Sequence, residues 1–488
     1  MKKGARRPAA SPVAVLILAA GRGQRMKSGR VKLLHVLAGA PMVCHVARVA
    51  ARLTPAALAA VVGNQADDVT AALSKQPGLI DAGLEFVTQE RQLGTGHAVL
   101  QAEPLLARAG LKKAVLLILN GDVPLIRLST LRALLKHHRR SGAAATVLTT
   151  WVDDPSGYGR VVRDEQGGLL SIVEDKDAGA AQKKIHEINA GLYCADMSVV
   201  FDALRRTRRA NAQGEHYLPD LFPILRKRGL TVEAYRHQEA EEVLGVNDRT
   251  ELARASRILY RRRAEDLMAS GVTILDPECT YIDPDVQVGQ DTVIGPLARL
   301  EGATAIGAGC SIGALAHIAG STLGDGVLVR DMCVITDSKV AGGAQIGPFA
   351  HLRPGTVLEA GVHIGNFVEV KKSRVGRGSK ANHLAYLGDA DIGEGCNVGA
   401  GTITCNYDGV HKHPTRLEDG VFIGSDTQLV APVTVGRGAY VGAGSTITKD
   451  VPAGALALSR AQQRTIEGWA ERRRQERQER LERERGKA

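Results

Sequence analysis

The chain has 488 residues, 44% hydrophobic and 24% charged, with a formal net charge of +11. That length suits two or three domains with separate cores, and the balance is that of a globular chain, not a disordered or fibrous one. The positive charge suits anionic ligands; seven scattered cysteines without a C-x-x-C pair suggest neither a zinc site nor a disulfide framework; no run approaches the roughly 20 apolar residues of a membrane span. Reduced thiols and a cytoplasmic protein are the plain expectation.

Residues 1–12 are expected to form a disordered basic arm. Followed by an apolar run they imitate a signal peptide, but cleavage there would cut into the glycine loop that comes next. Val13–Leu18 is a continuous apolar stretch ending in "AAGRGQRM", the pattern of a buried parallel strand feeding a tight turn. Gly21 and Gly23 would let the backbone approach a phosphate, with Arg22, Arg25 and Lys32 supplying positive charge. The loop is neither a Walker loop, which needs G-K-[ST], nor a full G-x-G-x-x-G, so a purely structural turn stays open.

Strands are then expected at 58–63, 84–89 and Ala114–Leu119, and helices at 66–76 and 96–109. Such alternation means βαβ units and a mostly parallel sheet, whose ligands bind beyond the carboxyl ends of the strands. Asn120-Gly121-Asp122 stands at such an end, where a carboxylate could hold a metal against phosphates; a turn aspartate remains the bland alternative. Residues 249–268 read as a long connecting helix, with Arg261–Arg263 on a solvated face in preference to an anion-reading patch.

From Val288 an aliphatic ladder sets in with a period of six: Val288, Ile294, Leu300, Ile306, Ile312, Ile318. After a slip it resumes as Val340, Ile346, Leu352, Leu358, Ile364, Val370, then Ile392 and Val398, then Ile423 through Ile447. Six residues turn an α-helix about 600°, so no helix keeps them on one stripe. A coil of short strands does, and 31 of the 55 glycines fall in 271–460, where such a parallel β-helix needs its corners. The ladder breaks at 371–391 and 405–422, and insertions in repeat folds emerge as loops on a binding face. These stretches hold His383, Tyr386, Asn406, Tyr407, His411, Lys412 and His413, near Lys371, Lys372 and Arg353. Solubilising loops are the alternative. His411–His413 could bind a transition metal, though a loop end with a solvated face is preferred. Cys405 has no base of its own in the sequence, which argues against a thiol nucleophile. Residues 461–488 read as a charged, partly helical, solvated tail; without interleaved aromatics, nucleic-acid contact is not expected.

"LAAGRGQRM", "QLGTGHA", "NGDVPL", "GYGRVV", "IVEDKDA", "EINAG" and "GVNDR" fall in the order of a sugar-nucleotide pyrophosphorylase. With the coil, they resemble the bacterial bifunctional N-acetylglucosamine-1-phosphate uridylyltransferase / glucosamine-1-phosphate N-acetyltransferase family over about residues 13–460. The resemblance implies an α/β, Rossmann-like nucleotidyltransferase domain at 13–248, a linker helix at 249–270 and a left-handed parallel β-helix of hexapeptide repeats at 271–460. It implies that Leu18, Ala19, Ala20, Gly21, Lys32, Gln89, Gly94, Thr95, Asn120, Gly121, Gly159, Glu174, Asn189 and Asn247 bind nucleotide and sugar. Asp122 and Asn247 would be the protein ligands of Mg²⁺, and Arg25 and Lys32 the cations that steady the triphosphate. In the coil it implies His383 as general base, a role suited to a side chain that titrates near neutrality. Arg353, Lys371, Tyr386 and Asn397 would hold the sugar phosphate, and Ala400, Asn406, Tyr407, Ser425, Ala443 and Arg460 acetyl-CoA. UTP and acetyl-CoA are the implied co-substrates, UDP-N-acetylglucosamine for cell-wall precursors the product, and a homotrimer the implied assembly. Asn382 and Ala385 depart from the family, which often has Gly and Thr there. Two rivals remain: a nucleotidyltransferase whose coil only assembles or regulates, and a scaffold or nucleic-acid-binding protein with vestigial loops.

Overall fold

The computed structural model describes residues 11–485 except 22 and 77; most of the basic arm and Arg22 therefore lie outside the described residues. The chain divides into two compact units at Glu265/Asp266, with Ile282–Pro284 returning to the first.

The first unit is built on a nine-stranded sheet. Its strands are β1 (Val13–Ala19), β2 (Ala57–Val62), β3 (Leu84–Thr88), β4 (Val115–Asn120), β5 (Ala145–Trp151), β6 (Arg160–Arg163), β7 (Leu169–Val173), β8 (Glu187–Asp196) and β9 (Val232–His237). The order is β9-β5-β8-β4-β1-β2-β3, with the β6–β7 hairpin hung on β8. All neighbours on the path are parallel except β8, which runs antiparallel to both β4 and β5.

Successive residues of β1 serve opposite faces. Val15, Ile17 and Ala19 join one core with helices α1 (Met42–Ala51) and α2 (Ala66–Ser74); Ala14 and Leu16 join the other with α3 (Thr95–Gln101). Burial on both faces is why β1 and β4 read as unbroken apolar runs. The helix expected over 96–109 is two, α3 and α4 (Glu103–Arg108). Pro104, in the first turn of α4, has no amide hydrogen to continue α3, and Ala102 N closes the turn onto Val99 O at 3.1 Å. On the first core's side lies α5 (Leu128–Ser141); α6 (Met197–Arg205) and α7 (Leu221–Lys227) cover the second. The long helix runs as α8 (Arg249–Ala269), with Ala255 buried in the first unit's core and Leu252, Ile258 and Leu259 packed against it.

The second unit is a parallel β-helix of three sheets with 11, 10 and 9 strands. Ladder residues stack in register, as in Ile294↔Ile312, Leu300↔Ile318 and Val288↔Ile306. Burying each such side chain stabilises the coil by about 1.5–3 kcal/mol. The structure corrects one expectation: 371–391 is not a loop. Ile364, Ala381 and Val398 pair in successive coils straight through it. What changes is one corner per coil, where the interval shortens from six residues to five: Ile318–Leu323, Ile335–Val340, Val370–Val375 and Leu387–Ile392. Each short corner turns on a left-handed residue, Gly320, Asp337, Lys372 or Asp389. The insertion at 405–422 is real. Val398 pairs directly with Ile423, and the extra residues leave the coil between strands Ile403–Cys405 and Thr415–Leu417.

The tail forms α9 (Trp469–Arg485), exposed along its length and laced by Arg473–Glu476 and Arg480–Glu484 ion pairs. Among the described residues no helix is long and apolar enough to cross a membrane.

Candidate active sites

In the first unit, the carboxyl ends of β1 and β4 open onto a cluster of charge. Gly121 N donates to Leu18 O at 3.0 Å, tying the turn after β4 to the end of β1. Gly23, with φ +64°, lies so close to Lys32 that a Cβ there would sit 2.2 Å from the lysine Cβ, so the loop and Lys32 can pack only with glycine. Lys32 Nζ contacts Asp122 Oδ2 at 2.5 Å and Asn247 Oδ1 at 3.2 Å, while Arg25 Nη2 donates to the same Asn247 oxygen at 2.8 Å. Val246 N donates to Asp122 O at 2.8 Å, which places segments far apart in sequence beside one another, and Asn247 N donates to Glu251 Oε2 at 2.5 Å. A carboxylate and an amide oxygen thus converge on one cationic centre. Hard oxygen donors of this kind fit Mg²⁺, with water and phosphate completing its shell. No group of three or more His, Cys, Asp or Glu side chains suited to a metal occurs among the described residues.

Because β8 is antiparallel, its amino end reaches the same edge of the sheet. Asn189 N donates to Gly159 O at 2.8 Å, and Asn189 Nδ2 to Tyr193 Oη at 2.7 Å. Glu174 borders Gly159: a Cβ on that glycine would lie 3.2 Å from Glu174 Oε1. Burial, then the charges of Asp177, Asp220 and Asp175, push the Glu174 carboxyl up to about 7. Burial, Glu251 and Asp122 raise the Tyr158 phenol to about 12, so it stays a neutral donor. Gln89, Gly94 and Thr95 gather at the mouth of β3, where Thr95 Oγ1 accepts from Leu218 N at 3.0 Å.

In the coil, the expected residues fall into columns. His383 pairs with Asn366 in the neighbouring coil, and its Nδ1 lies 2.8 Å from Asn366 Oδ1. The amide oxygen can only accept, so the imidazole carries its hydrogen on Nδ1 and leaves Nε2 free as a base. Ala400, Ser425 and Ala443 each stand two residues beyond a paired ladder residue, Val398, Ile423 and Val441. With Asn366 and His383 they line one corner of the coil. Arg460 ends the line, its Nη1 donating to Ala443 O at 3.0 Å.

On the adjoining face, Arg353, Lys371 and Gly388 occupy equivalent positions in consecutive coils. The Tyr386 ring folds over Gly388, and Arg353 Nη1 binds Glu369 Oε1 at 2.7 Å. Asn397 lies one strand beyond Lys380 on the other sheet. The insertion is braced by Asn406 Nδ2 to Asp389 Oδ2 at 2.5 Å and His413 Nε2 to Asp408 Oδ2 at 2.7 Å. His413 is therefore engaged with a carboxylate, as a loop end would be. Tyr407 is exposed and donates to Gly409 O at 2.6 Å.

Three residues escaped the sequence reading as participants in a site: Asn366, Asp389 and, as a partner of Lys371, Lys412. The insertion brings the Lys412 ammonium against that of Lys371, whose contact and charge depress the Lys412 pKa. Two facing cations would welcome an anion. The pairing of His383 with Asn366, 17 residues away, was recoverable only by counting coil lengths.

A ridge runs along the His383 corner. Leu297, Leu315, Met332, Phe349, Phe367 and Leu384, each three residues beyond a ladder position, are left-handed and exposed. Phe349 and Phe367 stack at 5.2 Å. In the next coils the same position holds Gly401, Asp426 and Gly444, so the ridge ends where the Ala400 line begins.

Residues 15–210 match the MobA-like NTP transferase domain, 275–375 the GMPPB C-terminal domain and 414–449 the six-repeat bacterial transferase hexapeptide. The coil is accordingly a left-handed β-helix of hexapeptide repeats. Over 454 residues the chain is 48% identical to the bifunctional protein GlmU of Heliobacterium modesticaldum, covering 93% of this chain and 97% of the relative. Proteins of the same name from Pelobacter propionicus (50% over 457 residues, 94% and 98%) and Geobacter sulfurreducens (49% over 479 residues, 95% and 99%) are similar to it as well.

Proposed function

Since the chain belongs to the family of bifunctional GlmU proteins, a nucleotidyltransferase joined to an acetyltransferase, we propose that it makes UDP-N-acetylglucosamine from glucosamine-1-phosphate at two sites. The observation that carries this reading is the pair of constellations, Lys32–Asp122–Asn247–Arg25 in the sheet unit and Asn366–His383 with Lys371–Lys412 in the coil.

In the coil, the amine of glucosamine-1-phosphate attacks the thioester carbon of acetyl-CoA. The N–C bond forms, the C–S bond breaks, the amine proton passes to His383 Nε2 and CoA leaves. Asn366 keeps Nε2 facing the substrate. Arg353, Lys371, Tyr386 and Asn397, joined by Lys412, hold the phosphate; Ala400, Asn406, Tyr407, Ser425, Ala443 and Arg460 line the path of the CoA. No acyl-enzyme is involved, and buried Cys396 and Cys333 have thiols raised by burial, poor nucleophiles both.

In the sheet unit, a phosphate oxygen of N-acetylglucosamine-1-phosphate attacks the α-phosphorus of UTP and pyrophosphate leaves. The protein's work is alignment and charge neutralisation. Arg25 and Lys32 steady the triphosphate; Lys32 gives up Asp122 as it turns to the phosphates. Asp122 and Asn247 would hold Mg²⁺, which supplies positive charge to the phosphate oxygens when bound. Leu18–Gly21, Asn120 and Gly121 face the nucleotide, Gln89, Gly94 and Thr95 its base, and Gly159, Glu174 and Asn189 the sugar.

The apolar ridge supports a homotrimer: six exposed, left-handed apolar residues are costly unless covered, and further copies of the chain would cover them. Co-substrates of this kind, and Cys44, Cys194, Cys310, Cys333 and Cys396 buried as thiols, support a cytoplasmic location.

Separate assays of the two half-reactions test the assignment. Asp122→Ala is expected to abolish UTP-dependent pyrophosphate release and spare CoA release; His383→Ala should do the converse. Equal loss of both activities in either variant would remove that residue from its site. Phe349→Ser with Phe367→Ser is expected to shift elution toward the single chain, and a wild-type protein that already elutes as one chain would end the trimer reading.

A further inference from the structure

Gln89 closes β3 and is 3% exposed. Its backbone N donates to Val62 O at 2.8 Å, which fixes the base of the side chain. The amide nitrogen then lies 3.1 Å from Gly94 O and 2.9 Å from His97 Nδ1. A carbonyl can only accept, so the nitrogen and not the oxygen must face Gly94. With one hydrogen to Gly94 O and the other to His97 Nδ1, both donors of the amide are used. No described group donates to Gln89 Oε1 in return.

For Nδ1 to accept, His97 must carry its hydrogen on Nε2. That nitrogen faces the Gln101 amide at 3.2 Å, which takes the hydrogen once its oxygen is turned inward. The groups around the ring favour the neutral form: burial first, then the positive charges of His216 and Arg209 from the segment between α6 and α7, lower its pKa. The same segment is tied to the loop of Gly94 by Gly96 N to His216 O and His216 N to Leu93 O, both 2.8 Å.

We infer that His97 is the positioning residue that makes this site select uracil. By accepting from the Gln89 nitrogen it turns the Gln89 oxygen toward the base, where uracil, with an N3–H to donate, is accepted. Cytosine presents a lone pair at N3 and meets an oxygen that cannot donate. Protonated His97 would place a hydrogen on Nδ1 against the amide hydrogens, so the amide would keep only its bond to Gly94 O and its oxygen would no longer be held toward the base. The inference rests on Gln89 being the contact of the base, as proposed above.

The test uses the full chain and the uridylyl half-reaction, with UTP and CTP compared as substrates at fixed Mg²⁺ and sugar phosphate. His97→Leu is expected to raise KM for UTP with a smaller effect on kcat, and to lower the UTP/CTP ratio of kcat/KM by about tenfold or more, because a site built around a hydrogen bond discriminates through it. His97→Asn, whose side-chain oxygen can replace Nδ1 as acceptor, should restore the ratio to within about threefold of the wild type. In the wild type the ratio should fall as the pH is lowered through the imidazole titration. A ratio that is flat with pH, or His97→Leu losing activity on both nucleotides equally, overturns the inference. Gln89→Leu separates the two readings: if it leaves the ratio unchanged, Gln89 does not touch the base and the parent assignment fails as well.

Discussion

The two units build their sites by opposite routes. In the sheet unit, Lys32, Asp122 and Asn247 come from three distant segments and meet because strands of different origin end at one edge. In the coil, Asn366, His383, Ala400, Ser425 and Ala443 meet because each holds the same position in consecutive turns. One site is fixed by topology, the other by counting. A topological site should be sensitive to single ligands and tolerant of changes in strand length. A counted site should fail whenever a coil gains or loses a residue in the wrong corner.

The largest effect expected is on chemistry in the coil. His383→Asn should reduce kcat for CoA release about a thousandfold with little change in KM for the amine, as loss of a general base does. Deleting one residue between Ile364 and His383 should be as severe for that activity while sparing uridylyl transfer, which would sharpen the contrast. Equal sparing of both activities would break it. Next, Lys412→Ala should raise KM for glucosamine-1-phosphate tenfold or more at nearly constant kcat, measured by CoA release; an unchanged KM would mean that the two facing ammonium groups do not share the phosphate. Asn366→Ala is expected to cost about tenfold in kcat, because the imidazole loses the partner that selects its tautomer.

The smallest effect is one of stability, in the sheet unit. Glu174 is held up to about 7 in the folded protein against an ordinary 4.5. The folded state therefore keeps a proton that the unfolded chain releases across that interval, and stability falls as pH rises from about 4.5 to 7. Glu174→Gln should raise the melting temperature at pH 8, by about 1–3 kcal/mol in free energy, and give no gain at pH 4. The same gain at both values would show that packing, not ionisation, is responsible.

The contrast also explains what the amino-acid sequence disclosed. The buried strands were legible because β1 and β4 are covered on both faces, and the coil because one aliphatic residue per strand must point inward. The break at Ala102 was missed although Pro104 marks it. More instructive is 371–391, which reads as an interruption because Val370 to Val375 is five residues instead of six. A short corner and a loop look alike in a periodicity; they differ only in whether a residue such as Lys372 takes the left-handed conformation. Lys412 was visible as a charge but not as a partner of Lys371, since that depends on how the insertion folds back. The marks of the nucleotide site were local motifs, and local motifs survive without a structure.

The line from His383 to Ala443 has a further property. Its members are one strand spacing apart, about 4.8 Å, so three steps carry it roughly 14 Å along the coil axis. The corner is a ruler. An acyl carrier laid along it has its reacting end and its anchoring end set by a whole number of turns, and the insertion after Cys405 leaves that number untouched because Val398 still pairs with Ile423. On the proposed assignment of this corner to the acyl donor, chain length in the donor, more than its surface chemistry, is what the coil would measure: a thioester on a truncated carrier would reach His383 and leave Arg460 with nothing to hold.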